Sequence, residues 1–174
     1  MPVVRTTTVY TTRSTTADRG YAAWCCSRLA IMKWIVAVMC LIIIVLINKG
    51  TDCWGAYKFI FILSIVCLVL TVVTMILYFF GIHARLFTEF PWHRIEFAID
   101  LVCAIGFAVA FGLLVWDCIK LFDNYDTSHH DYYIWGSCKT SGWRNKIVAM
   151  TIMSGINGFV CLAMAVHVNH FLIL

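Results

Sequence analysis

The chain has 174 residues, of which 62% are hydrophobic and 13% charged, with a formal charge of +4 at pH 7. Too few polar residues exist to cover an apolar core in water, which excludes a soluble globular fold. The excess of positive charge is modest and forms no basic face, which excludes nucleic-acid binding and assigns it to membrane orientation.

The first 22 residues form a polar, threonine-rich tail (MPVVRTTTVYTTRSTTADRGYA) expected to be disordered and cytosolic. Its hydroxyls and arginines suit phosphorylation, and a plain solvated tail fits equally well. No apolar core with a small-residue cleavage site appears before residue 28, so the first helix is expected to direct insertion. Trp24-Cys25-Cys26-Ser27-Arg28 then leads into the first apolar run. A cysteine pair beside a membrane entry point marks Cys25 and Cys26 as candidates for S-palmitoylation, against the alternative of reduced thiols at the interface.

Four apolar runs follow, at about 29–48, 59–82, 95–116 and 147–170. Each reaches the roughly 20 residues a helix needs to cross the hydrocarbon. Barrel strands would alternate with period two instead, so the expected fold is an all-α bundle of four transmembrane helices spanning 23–174. In the first helix, Lys33 and Trp34 are expected to anchor at the headgroups, the lysine snorkelling outward. The 49–58 loop is too short for a folded ectodomain, so helices one and two should form a hairpin.

The third helix carries the most costly residues. Glu96 and Asp100 lie one turn apart, and the same row continues through Ala104, Ala108 and Gly112. Small residues allow close helix approach in lipid, so this row is a candidate packing or partner face. Asp100 sits roughly 7.5 Å past the start of the run at 1.5 Å per residue. A charged carboxylate at the bilayer centre costs roughly 2.5–3.5 kcal/mol, and less at this depth. Asp100 should therefore face the bundle, hydrogen-bonded or protonated. It reads as a polar link between helices, or alternatively as an ion site or a contact with a partner's helix. The fourth helix offers Thr151, Ser154 and Asn157 as polar groups, and Ser154 with Gly158 forms a small-residue notch that places it beside helix three.

The loop 118–146 is the longest expected between helices. His129, His130 and Asp131 are weak metal ligands without a third and fourth partner, so no metal is expected. Its aromatics suit the membrane interface, as does the pair His167 and His170. Of nine cysteines, Cys53, Cys118 and Cys138 fall on the outer side, where one disulfide among the three is expected and its pairing stays open. Lysine and arginine divide seven to six between the two sides. The flanks of the first helix favour the N-terminal side, so both termini are expected in the cytosol.

This pattern resembles the MARVEL domain of vesicle and junction proteins. The residues that carry the likeness are Ser27–Lys33 leading into helix one and Trp54–Tyr57 leading into helix two. Tyr78-Phe79-Phe80-Gly81-Ile82-His83, Pro91-Trp92, and Glu96 and Asp100 with the alanine-rich stretch after them complete it. The likeness spans about 25–172, and the threonine-rich tail is similar to that of the chemokine-like-factor and plasmolipin-type branch. Claudins carry a large domain after helix one, and tetraspanins a large cysteine-rich loop before helix four; this chain has neither.

The resemblance implies a non-enzymatic membrane organiser or trafficking adaptor in plasma or vesicle membranes. It would act through the lipid bilayer and lateral contact with other membrane proteins or a second copy of the chain, without a cofactor. The alternative is a small channel or transporter subunit that uses Asp100 in an oligomer. Catalysis needs a nucleophile, a base and an orienting group within reach, and neither that set nor a phosphate-binding loop is present.

Overall fold

The computed structural model describes residues 27–48, 50, 51, 54–80, 92–122 and 142–173. They form four helices: α1 (Arg28–Ile47), α2 (Gly55–Phe79), α3 (Trp92–Phe122) and α4 (Trp143–Ile173). All four are long and apolar enough to cross a membrane. Helices satisfy their backbone groups internally, which hydrocarbon demands of any spanning segment.

Ser27 caps α1, its side chain accepting from the Ala30 amide at 3.2 Å, which contributes about 1 kcal/mol to a helix start. Gly142 has φ +90 immediately before α4, a conformation that costs a side-chain-bearing residue about 1–2 kcal/mol. The helices form a ring in which α1 packs on α2 and α4, and α3 packs on α2 and α4. The α3–α4 contact is the most extensive and α2–α3 the least. Lys33 and Glu96, each about one turn past the start of its helix, meet at 2.9 Å, so α1 and α3 start on the same side.

Val36, Ile43, Ile47, Ile60, Phe107, Leu114, Ile147 and Met150 fill the middle of the bundle. Large apolar side chains such as Val45, Val102, Phe159 and Val166 are more than 60% exposed, as lipid-facing positions should be. At the end formed by the α1–α2 connection, the Trp143 ring lies against Gly50, where any side chain at 50 would overlap the indole.

Three sequence expectations are corrected here. Lys33 does not snorkel outward: it is 2% exposed and turned into the bundle. Only its neighbour Trp34 faces outward. Helix α3 runs on past 116 to Phe122, so Cys118 belongs to a helix rather than to the third loop. Its thiol lies 3.3 Å from the Thr151 hydroxyl on α4 and makes no disulfide among the described residues, which do not include Cys53 and Cys138. Helix α2 begins at Gly55 and ends at Phe79, several residues ahead of the expected span.

Candidate functional site

The row of small residues on α3 does not form one face. An α-helix turns about 100° per residue, so a row of four-residue steps drifts by about 40° per step. Glu96, Asp100 and Ala104 are buried, whereas Ala108 and Gly112 have rotated out to the lipid side. The inward face continues instead through Cys103, Phe107, Ala110, Leu114 and Asp117. Glu96 and Asp100 are thus turned into the bundle, whereas Ala104, although largely buried, also borders the outer surface between α3 and α4.

Glu96 sits among three helices. Its Oε1 lies 2.9 Å from Lys33 Nζ on α1, an ionic contact rather than an aligned hydrogen bond. Its Oε2 accepts from the Tyr78 hydroxyl on α2. Lys33 also donates to Thr74 Oγ1 at 3.4 Å, and Thr74 in turn donates to the Thr71 carbonyl at 2.8 Å. Asp100 lines the same small cavity with Lys33, Thr71, Thr74, Cys103 and Cys161, and its Oδ2 makes no hydrogen bond within the described residues. Lys33 offsets one of the two carboxylates. Pairing is what makes a buried ionised group tolerable, and removing one partner of such a pair typically costs about 3–5 kcal/mol.

Four buried cysteines line the interior, one from each helix: Cys40, Cys67, Cys103 and Cys161. Asn157 on α4 donates to Cys40 Sγ at 3.2 Å. Among the described residues, no three His, Cys, Asp or Glu side chains are arranged to hold a metal ion. At the far end of the bundle, the Tyr57 hydroxyl donates to Asp117, and the Tyr57 ring meets Trp143 edge-on at 5.7 Å. Lys120 over Trp116 and Lys146 over Trp143 add cation–π contacts at 4.8 and 5.6 Å.

Among the described residues, two apolar grooves open on the outer surface. The larger, about 600 Å³, runs between α3 and α4 and is lined by Ala104, Ala108, Phe111, Ser154, Gly155 and Gly158. Gly158 lets α4 approach the α3 backbone: a Cβ there would stand 3.3 Å from Phe107 Cβ and 3.7 Å from the Ala104 carbonyl. Ser154 is fully buried at this seam. The smaller groove, about 280 Å³, lies between α1 and α2 and is lined by Trp34, Ala37, Val72, Met75, Ile76, Phe79 and Phe80.

Sequence reasoning placed Glu96, Asp100, Ala104, Ser154 and Gly158 on helix-packing rows, but it missed Lys33, Tyr78, Tyr57 and Asp117 as their interior companions. A signal for the first existed: Lys33 and Glu96 lie at similar distances from the starts of two helices that enter from one side. Cys25, Cys26, Cys53, Cys138, His129, His130 and Asp131 lie outside the described residues.

Comparison with curated proteins and with solved structures finds no match. Residues 24–167 match the MARVEL family, described as a membrane-associating domain. That match covers all four helices but the last turns of α4, and the chain is therefore a multi-pass membrane protein of the MARVEL family.

Proposed function

We propose that this protein is a non-enzymatic membrane organiser and trafficking adaptor of plasma or vesicle membranes, with both termini in the cytosol. It works by lateral contact, and the α3–α4 groove is the surface that receives a transmembrane helix of another membrane protein or of a second copy. The observation behind this reading is the groove itself, a lipid-facing concavity with Ala104, Ala108, Gly155 and Gly158 along its walls. In hydrocarbon, helix association relies on close van der Waals packing, which small residues permit. The threonine-rich tail supports placement in the chemokine-like-factor and plasmolipin-type branch.

The test uses Ala108→Leu with Gly112→Leu. Ala108 is exposed, and a Cβ at Gly112 meets open space, so the bundle tolerates both. Crosslinking in membranes followed by mild-detergent purification should recover partner proteins with the native chain and lose them with the double variant. Equal recovery from both would remove the groove from the account.

A second reading, a small channel or transporter subunit, draws on Asp100, whose buried Oδ2 faces a polar cavity. Ion flux into liposomes that disappears with Asp100→Asn would favour it over lateral contact.

A further inference from the structure

A small cavity at the Lys33 end of the bundle is lined by side chains from all four helices. Its volume, about 10 Å³, is near the least that holds one water. Lys33 is 2% exposed, Glu96 1% and Asp100 5%, so two carboxyl groups and one ammonium are enclosed together. Glu96 has both oxygens engaged: Lys33 Nζ lies 2.9 Å from Oε1, and the Tyr78 hydroxyl donates to Oε2. Asp100 is the group left over, its buried Oδ2 without a hydrogen-bond partner among the described residues. The other groups around it supply no second positive charge. From α2 they are Cys67, Thr71, Thr74 and, against Glu96, Tyr78; from α3, Cys103; from α4, Cys161 and Met164. His167, about one turn beyond Met164, does not line the cavity. With all three groups ionised, the cluster would carry one net negative charge in a medium that cannot solvate it. A buried carboxylate without a partner takes up a proton rather than remain charged. A metal cation is a poorer answer. The space is that of one water, the Lys33 ammonium already borders it, and no three His, Cys, Asp or Glu side chains among the described residues are arranged to hold a metal.

We propose that Asp100 is a proton-binding site: at neutral pH it holds one proton, which makes the Lys33, Glu96 and Asp100 cluster electrically neutral. The proton comes from hydronium in the aqueous phase. One O–H bond forms on the Asp100 carboxylate, one breaks in hydronium, and water is left. The proton belongs to the cluster as a whole, because Lys33 balances one carboxylate and not two. Removing the charge of Glu96 frees Lys33 to pair with Asp100 across the cavity they share, and Asp100 then gives up its proton. The folded bundle carries one proton more than the unfolded chain, whose aspartates ionise at about pH 4. Its stability therefore falls as pH rises above that range, the unfolding constant growing about tenfold per pH unit until the proton leaves. The proposal rests on the interior contacts alone and needs neither the α3–α4 partner surface nor ion flux.

The experiment uses the full chain in phospholipid vesicles at neutral pH and reads the C=O stretch of protonated carboxylic acids by infrared spectroscopy. The native chain should show such a band, shifted to lower frequency in D2O and missing from Asp100→Asn. It should survive Asp117→Asn, whose acid lies at the other end of the bundle, and disappear in Glu96→Gln. A native chain without the band overturns the proposal whether or not the variants fold. So does a band that Asp117→Asn removes and Asp100→Asn leaves in place. A band that persists in Glu96→Gln overturns the sharing of Lys33 between the two acids. Chemical unfolding in detergent supplies the second readout. The ratio of the native unfolding constant to that of Asp100→Asn should rise about tenfold for each pH unit above about pH 5. A ratio independent of pH overturns the site. Stability that follows Na+ or K+ concentration instead of pH assigns the cavity to a metal cation and contradicts the proposal.

Discussion

The two ends of this bundle each bury an acid, and they stabilise it by different means. At the end where α1 and α3 begin, Glu96 is held by an ammonium from α1 and a tyrosine hydroxyl from α2, with Asp100 one turn deeper. At the opposite end, Asp117 is held by the Tyr57 hydroxyl, beneath an aromatic cover of Trp143 pressed on Gly50. The first arrangement ties three helices together through charge. The second ties α2 to α3 through the Tyr57 hydroxyl and packs aromatic rings around it. A charged lock is costly to break, because loss of one member leaves the others unpaired in a medium that cannot solvate them. An aromatic lid should fail in smaller steps.

This contrast makes the Lys33 end the more sensitive one. Lys33→Met keeps the length of the side chain and removes the charge, leaving Glu96 and Asp100 uncompensated. It should lower stability in detergent by about 3–5 kcal/mol, read by chemical unfolding of the purified protein. A loss no larger than that of the variants below would erase the difference between the ends.

At the aromatic end, Gly50→Val forces the Trp143 indole to move. The expected loss is about 1–3 kcal/mol, the usual range for overpacking, with a change in tryptophan fluorescence as a second readout. Tyr57→Phe keeps the ring and removes the donor to Asp117, at an expected cost of about 1–3 kcal/mol in the same unfolding assay. The smallest effect should come from Thr74→Val. Its bond to Lys33 is long at 3.4 Å, and Thr74 also donates to the Thr71 carbonyl, so about 0.5–1.5 kcal/mol is expected. An effect of Thr74→Val as large as that of Lys33→Met would mean that the threonines, and not the ion pair, hold this end.

The four spans are legible in the sequence because hydrocarbon imposes one rule on backbone and side chains alike. Their ends are less so. Asp117 and Lys120 interrupt the apolar run of α3, yet the helix continues to Phe122 because Asp117 has Tyr57 as a partner. Lys33 was misread for a related reason. A lysine near a helix start reaches the headgroups when nothing opposes it, but here Glu96 stands 2.9 Å away on another helix. Sequence distance hides that pairing, and only the order of helices around the ring brings it to view. The row from Glu96 to Gly112 shows the opposite failing: its residues share a row in sequence, while helical drift sends its two halves to opposite environments.

The central claim is that the charges of α1 and α3 serve each other inside the bundle, leaving the outer grooves as the surfaces that meet lipid and partners. A charge exchange tests it most directly. Lys33→Glu and Glu96→Lys should each destabilise the purified protein strongly, and the double exchange should recover most of that loss. If the exchanged protein is no more stable than either single variant, or if Lys33→Glu alone is harmless, Lys33 and Glu96 are not partners and the account fails.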